Sequence, residues 1–362
     1  MSNLKNEVKC KKLEDLIASS TARYTKLGLN PEKDMIVPMN IGCNAGNYFV
    51  KNVGPYGKNE YRTAATVLPK EQLIEIEESM ASGQQPNVID VNGVLYQVGT
   101  GRTLTGFLVD KPMEEFRAVM LMAIAKQIYL KKSHYKKLKL VEVSIGVGLS
   151  IDEYREKENR DLLRKILAGM HHVKYQGLEF VISIAPKNVV ISAEGYAHYQ
   201  ANFKDYVGND DKGIYIIDIG SKTLDTVWIQ NGAIKDNDCE PNLGVLKLVK
   251  DIYKSLPVAS RRYVSEVNVE ELIRKGSVKR DKLYEISQFV TLKESYEKEM
   301  ILYLNDRYPE LAVANRLVLI GGGEYVAGEY IKNYYKDTAD NIETFKDSEY
   351  LNAEAYYALS FK

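Results

Sequence analysis

Apolar and polar residues alternate along the chain in short stretches that break at glycine and asparagine. The stretch MIVPMNIGCNAGNYFVKNVG (35–54) alternates, breaks at a Gly/Asn loop and then resumes, which predicts two strands joined by a tight loop. Further strands are predicted over 60–67 and 86–99, and Asn92–Gly93 in the second stretch is typical of a type I′ hairpin turn. Residues 113–132 carry apolar positions at helical spacing and predict a helix.

The middle of the chain continues as an alternating α/β pattern. The run VEVSIGVGL (141–149) predicts a buried strand, and the charged stretch 151–168 predicts a helix. Strands are predicted across 173–191, and a helix is predicted from about residue 194. The pair His171–His172 lacks the spacing of a metal-binding helix and is predicted to lie in a surface turn.

The second half of the chain repeats this order. GIYIIDIG (213–220) predicts a strand that reaches a loop, and TLDTVWIQ (223–230) predicts the returning strand, which turns at Asn231–Gly232. The elements predicted beyond it are a helix near 244–255, a polar helical region over 259–305, a strand over 316–323, and helices over 324–335 and about 350–357. Because both halves open with strand, glycine loop and strand, the pattern favours a duplicated α/β unit.

The composition is that of a globular protein, with 362 residues of which 45% are hydrophobic and 27% are charged. Because a single hydrophobic core stops growing at roughly 250–300 residues, two lobes are expected rather than one. The 49 basic and 49 acidic residues balance, which argues against a protein that holds nucleic acid or an anionic membrane through its overall charge. We therefore expect no direct sequence-specific DNA binding and no membrane partner.

The cysteines and the apolar runs indicate the compartment. Cys10, Cys43 and Cys239 are far apart and form no CxxC pair, so neither a disulfide framework nor a zinc site is expected. The N-terminus lacks the apolar run of a signal peptide, and the longest apolar run, 118–125, is much shorter than the ~20 residues of a membrane span. We expect a cytoplasmic protein, with residues 1–33 as a polar N-terminal extension.

Three glycine loops, at 44–51, 218–225 and 320–324, carry the candidate chemistry. The first two are predicted hairpin tips, where glycine lets backbone N–H groups approach phosphate oxygens closely. Lys51 can place a positive charge on terminal phosphates, and Asp218 can hold Mg²⁺ through water. The third is a strand-to-helix turn, where a purine nucleoside can lie against bare backbone and a helix N-terminus.

In this order the loops resemble those of the actin/Hsp70/sugar-kinase ATPase superfamily, and above all those of the ParM-type bacterial actin-like proteins that segregate plasmids. The family's first loop reads Asp-x-Gly with a lysine seven positions after the aspartate. Asn44, Gly46 and Lys51 keep this spacing, with asparagine in place of the aspartate. The second family motif, Asp-Ile-Gly-x-x-Thr-x-Asp, is matched at 218–225, and Ile-Gly-Gly-Gly is matched at 320–323.

The resemblance extends over about residues 35–357 and implies an actin-like two-lobed ATPase fold. Such a fold contains duplicated mixed β-sheet units flanked by helices, with a nucleotide cleft between the lobes. On this basis domain I is expected to comprise 34–192 together with 345–362, and domain II is expected to comprise 193–344.

The resemblance also implies that ATP or ADP binds with Mg²⁺ in the cleft. The implied phosphate-binding residues are Asn44, Gly46, Asn47, Lys51, Gly220, Ser221, Lys222 and Thr223. The implied adenosine-binding residues are Gly321, Gly322, Gly323 and Glu324.

Two carboxylates are the candidate catalytic residues. Glu194 would position the attacking water. It could instead be a structural acidic residue whose negative charge is stabilised by a helix N-terminus. Asp218 would hold Mg²⁺ through water, although it could instead be a turn residue. Because Asn44 removes a negative charge near the metal, slow hydrolysis is expected.

The implied function is an ATPase that forms helical filaments of itself and so drives plasmid DNA segregation. A separate DNA-binding adaptor protein would connect the filament to a centromere-like site on the plasmid. The alternative is a non-polymerising small-molecule kinase of the same superfamily. A kinase needs a carboxylate base beside the γ-phosphate, and Glu194 is the one convincing candidate in the sequence.

Overall fold

The computed structural model describes residues 34–82, 86–135, 138–208 and 210–362. The predicted extension over 1–33 lies outside these residues.

The described strands form two large sheets and one small hairpin. Those of the first sheet are β1 (Met35–Ala45), β2 (Phe49–Gly54), β3 (Gly57–Arg62), β4 (Ala64–Leu68), β5 (Val88–Val91), β6 (Val94–Thr103), β7 (Leu138–Leu149), β8 (Gly169–Tyr175), β9 (Leu178–Ile184) and β10 (Val189–Ala193). The second sheet begins with β11 (Ile214–Ile219), β12 (Leu224–Gln230) and β13 (Ala233–Glu240); after the separate hairpin of β14 (Ser277–Lys279) and β15 (Leu283–Glu285), it ends with β16 (Arg316–Ile320) and β17 (Ile342–Glu343).

Helices flank both sheets. They are α1 (Leu73–Ala81), α2 (Met113–Leu130), α3 (Ile151–Arg155), α4 (Lys157–Leu167), α5 (Tyr196–Ala201), α6 (Phe203–Tyr206), α7 (Val245–Ser255), α8 (Glu266–Lys275), α9 (Val290–Arg307), α10 (Glu324–Tyr335) and α11 (Leu351–Leu359).

The two sheets share one strand arrangement. In the first sheet, β1 pairs antiparallel with β2 and parallel with β7. In the second sheet, β11 pairs antiparallel with β12 and parallel with β16. Each sheet therefore contains a glycine-turn hairpin whose first strand lies beside a parallel strand, which is the repetition that the sequence predicts.

Each sheet has its own hydrophobic core. The first core packs α2 and α4 against the sheet, and the longest apolar run of the chain, Ala118 to Ala125, is the fully buried centre of α2. The second core packs α7, α8, α9 and α10 against β11 and β16. No helix in the described ranges is long and apolar enough to cross a membrane.

The last helix, α11, returns to the first sheet and lies against β1 and β7. Its backbone approaches the strands so closely that side chains are excluded from the contact. A Cβ atom on Gly42 would lie 2.0 Å from the carbonyl oxygen of Ala353, and one on Gly146 would lie 2.0 Å from that of Tyr356. Glycine is therefore required at both positions for α11 to reach the sheet.

Three sequence predictions differ from the structure. The polar helical region over 259–305 contains two helices with a hairpin between them, because α8 ends at the left-handed Gly276 and the β14–β15 hairpin precedes α9. The helix over 151–168 is divided into α3 and α4 at Glu156, which has extended backbone angles. The pair His171–His172 lies in β8 rather than in a turn, with His171 buried.

We predict that Gly146→Ala destabilises the protein by about 3 kcal/mol, at the upper end of the range for overpacked cores, because the obstructing atoms belong to the backbone of α11. Urea unfolding followed by the fluorescence of Trp228 measures this. The matched control is Gly208→Ala, where the φ of +81° is unfavourable for alanine but the space is open, and about 1 kcal/mol is expected. Equal losses for the two variants would show that α11 adjusts to the extra methyl group.

Candidate nucleotide-binding cleft

A cavity of about 330 Å³ lies where the two hairpins and the β16–α10 turn meet. Its volume is in the range of pockets that bind small molecules. The predicted site residues that line it are Asn44, Gly46, Asn47, Lys51, Glu194, Asp218, Gly220, Ser221, Lys222, Thr223, Gly321 and Gly322. The other two predicted residues, Gly323 and Glu324, lie in the adjoining turn and helix and do not line the cavity.

The first glycine loop is the tip of the β1–β2 hairpin. Asn44 lies opposite Lys51 in the strand pairing, so the two side chains of the motif are held side by side. The tip is fixed from outside, since the Thr63 hydroxyl donates to the Gly46 carbonyl oxygen (2.6 Å) and the Gly106 N–H donates to Asn47 Oδ1 (3.0 Å). The loop is thus ordered by the protein itself before any ligand is considered.

The second loop is the tip of the β11–β12 hairpin. Asp218 lies opposite Asp225, and the Thr223 hydroxyl donates to Asp225 Oδ2 (2.6 Å). The turn closes through the Gly220 N–H, which donates to the Thr223 carbonyl oxygen (2.9 Å). Lys222, at the apex, is exposed at the mouth of the cavity.

The third loop touches both hairpins. Gly321 has a φ of +92°, and a Cβ atom there would lie 2.1 Å from Asp218 Oδ1. A Cβ atom on Gly322 would lie 3.2 Å from Lys51 Nζ. Gly321 therefore meets two requirements that only glycine satisfies together, a left-handed backbone and contact with a carboxylate.

The cavity wall contains partly buried carboxyl groups with raised pKa values. Burial, together with the nearby Asp225 and Asp218, raises the pKa of Glu194 to about 8. Burial and Asp225 raise the pKa of Asp218 to about 6, although Lys51 and a hydrogen bond from Asn352 act in the opposite direction. Burial also lowers the pKa of Lys51. The cleft thus holds several carboxyl groups whose ionised forms a bound cation would stabilise.

Glu194 follows β10 directly, and its N–H donates to the Leu149 carbonyl oxygen (2.8 Å). Gly195, the residue after it, precedes α5. The glutamate thus stands before the helix N-terminus, with its carboxyl group at the cavity wall.

Sequence reasoning missed one residue that holds this arrangement together, Asn352 on α11. Its Nδ2 donates to Asp218 Oδ2 (2.6 Å), and its Oδ1 accepts from the Gly195 N–H (3.1 Å). One buried side chain therefore orients the candidate metal ligand and the turn that carries Glu194. No local motif marks Asn352, because its partners are 134 and 157 positions away.

The residues present fit Mg²⁺ bound together with a nucleotide. Magnesium at such sites is held by one or two carboxylates, by phosphates and by water. Asp218 supplies a carboxylate, and Asn44 Oδ1 is a buried acceptor without a hydrogen-bond partner among the described residues. No group of three or more His, Cys, Asp or Glu in the described ranges could hold a metal by itself, so the phosphates would supply the remaining ligands.

Comparisons with family models and with curated proteins found no match. Solved structures match over nearly the whole chain. Bacillus thuringiensis ParM with ATP is 15% identical, with 89% of this chain and 98% of that chain covered and a TM-score of 0.67. The archaeal actin homolog Ta0583 in complex with ADP is 15% identical, with 88% and 98% covered and a TM-score of 0.68. The Alp12 filament structure is 18% identical, with 90% and 98% covered and a TM-score of 0.60.

The chain has the actin-like fold. The two-lobed α/β prediction made from the glycine loops is thereby confirmed. At these identities the likeness shows the actin-like fold alone. The domain boundaries at 192 and 345 and the roles of the cleft residues stay predictions.

We predict that Glu194→Gln stabilises the nucleotide-free protein at about pH 8.5 by on the order of 2 kcal/mol and has little effect near pH 5. Because the folded-state pKa is raised from 4.5 to about 8, the folded protein holds this proton more tightly than the unfolded chain. Stability attributable to Glu194 is therefore complete below about pH 4.5 and is lost as the pH rises through 8.

Urea unfolding of both proteins at the two pH values measures this effect. The control is Glu158→Gln, an exposed change of the same chemistry in the first turn of α4, which should lower the free energy of unfolding by less than about 1 kcal/mol at either pH. A Glu194→Gln variant that is less stable than the parent at pH 8.5 would contradict the raised pKa of Glu194.

Proposed function

We propose that this protein is a cytoplasmic, ATP-dependent, filament-forming protein of the ParM type, which drives plasmid DNA segregation by polymerisation coupled to nucleotide hydrolysis. The observation that carries the proposal is the meeting of three glycine loops, a lysine and two carboxylates around one cavity in an actin-like fold. Matching structures include a ParM with ATP and a filament of Alp12. The first supports nucleotide binding, and the second supports polymerisation.

Different cleft residues would bind the phosphates, the nucleoside and the metal. Backbone N–H groups of the two hairpin tips and the Lys51 ammonium would bind the phosphates, while Gly321 and Gly322 would lie under the nucleoside. Bound Mg²⁺ would neutralise phosphate charge. Asp218, fixed by Asn352, would hold a water of the metal's hydration shell.

Glu194 would orient the attacking water. It lines the same cavity as Lys51 and Asp218, so a water beside it would be near the proposed phosphate and metal positions. Its backbone N–H donates to Leu149, and the N–H of the next residue donates to Asn352, so the backbone that carries the carboxyl group is fixed on both sides of the turn.

The proposed partners are other copies of this chain in a helical filament and an adaptor protein that binds a plasmid centromere-like site. The charge balance of 49 against 49 supports an adaptor rather than direct DNA binding, because no excess positive charge attracts the phosphate backbone.

Sedimentation and light scattering of the purified protein with ATP, ADP or AMPPNP test the proposal. We expect polymer with ATP and AMPPNP and much less with ADP, because closure of the lobes around the triphosphate would favour assembly. The control is Lys51→Met, which removes the phosphate-binding cation and should abolish the nucleotide dependence. An absence of polymer with every nucleotide, up to high protein concentration, would contradict the filament function.

A second candidate function is a small-molecule kinase, because the cavity extends beyond the glycine loops. The cavity is also lined by Phe107, Phe116, Met120 and Leu163, which lie outside the glycine loops. The space beside these side chains could hold an acceptor molecule next to the phosphates. Phosphorylation of an added sugar or carboxylic acid, without polymer, would favour this function.

We predict that Asn44→Asp raises the steady-state ATPase rate by roughly threefold or more, because it adds a carboxylate beside the proposed metal position. Release of inorganic phosphate measures the rate. The matched control is Asn231→Asp, an exposed turn position whose φ of 52° aspartate tolerates, and it should leave the rate unchanged. An unchanged rate for Asn44→Asp would show that this position does not limit hydrolysis.

A further inference from the structure

Beyond the glycine loops, the cavity ends at a segment that the phosphate motifs do not include. Residues 104–112 connect β6 to α2, and Phe107, Leu108 and Lys111 of this segment line the cavity together with Glu153 and Glu194. The segment therefore lines the same cavity as the two hairpin tips and Glu194.

Lys111 is a partly buried cation at this end of the cavity. Burial lowers the pKa of its ammonium group, although Glu153 and Glu194 oppose the shift. Its Nζ lies 5.0 Å from the centre of the Phe116 ring. No carboxylate among the described residues forms an ion pair with Lys111.

The nearby carboxylate of Glu153 is engaged by neutral donors instead. Its Oε1 accepts from the Leu108 N–H (2.6 Å), and its Oε2 accepts from the Ser150 hydroxyl (3.0 Å). A desolvated ammonium without a paired anion is unfavourable, so Lys111 is suited to an anion that enters the cavity.

The segment is also connected to the first hairpin. The Gly106 N–H donates to Asn47 Oδ1 (3.0 Å), at the tip that would bind phosphate. The same segment is fixed on its other side by Glu153. Lys111 is thus held in a defined relation to the phosphate loop rather than on a free surface loop.

We propose that Lys111 is a second phosphate-binding cation, which contacts the terminal phosphoryl group of the nucleotide, either while attached or as inorganic phosphate after cleavage. The proposal rests on the proposed nucleotide function of the cleft. Lys51 and Lys111 line one cavity, and Lys111 is within electrostatic reach of Glu194, the residue proposed to orient the attacking water at the terminal phosphate, so Lys111 would distinguish a triphosphate from a diphosphate.

Isothermal titration of the full chain with Mg²⁺ and either AMPPNP or ADP tests the proposal. We expect Lys111→Met to weaken AMPPNP binding about tenfold or more and to change ADP binding by less than about twofold. Lys111→Arg should keep most of the discrimination because it retains the charge. The control is Lys187→Met, an exposed change outside the cavity, which should alter neither affinity.

A second arm separates the two sources of phosphate. Orthophosphate is titrated into the ADP complexes of the parent and of Lys111→Met. Weaker orthophosphate binding by the variant would support a site that also holds the released product. Unchanged orthophosphate binding, with selective loss of AMPPNP, would support contact with the attached phosphoryl group alone.

Equal loss of ADP and AMPPNP, or no loss of either, would overturn the role of Lys111 and leave the nucleotide function intact. Failure of the parent protein to bind either nucleotide would overturn both. Circular dichroism verifies folding, and Lys111→Gln provides a second neutral variant if the methionine variant does not fold.

Discussion

Asn352 joins the two sheets at the cleft, and the arrangement of the candidate site depends on its two hydrogen bonds. Its amide donates to Asp218 of the second sheet and accepts from the backbone beside Glu194, which follows the first sheet. The helix that carries Asn352 can reach this position only because Gly42 and Gly146 leave its backbone room against β1 and β7. Close packing of the last helix against the first sheet thus determines where the two candidate carboxylates lie.

The charges of the cleft are complementary to a metal–nucleotide complex. Glu194, Asp218 and Asp225 are partly buried near one another, and desolvation raises the pKa of each. Lys51 and Lys111 are cations whose pKa values burial lowers. A phosphate anion bound together with a divalent cation would stabilise the carboxylates and the lysines at the same time. A metal alone would stabilise only the carboxylates, and an anion alone would stabilise only the lysines. The asparagine at position 44 reduces the negative charge on one side of this arrangement.

The parts of the site that the sequence predicted are those with a local signature. Strand, glycine turn and strand are contiguous in the chain, so the hairpin tips at 44–51 and 218–225 and the turn after β16 could be predicted. Asn352 and Lys111 could not, because their neighbours in the cleft come from distant parts of the chain. The β14–β15 hairpin was missed because strands of three residues are too short to show alternation against the helical spacing on either side.

The proposed function requires that one cleft, formed by three glycine loops, binds a nucleoside triphosphate together with Mg²⁺. The decisive experiment is a structure of the protein determined with AMPPNP and Mg²⁺. We expect the phosphates between the tips of the β1–β2 and β11–β12 hairpins, the metal beside Asp218, and the nucleoside over Gly321 and Gly322. A nucleotide bound elsewhere, or a cleft that stays empty at saturating nucleotide concentration, would rule out this binding site.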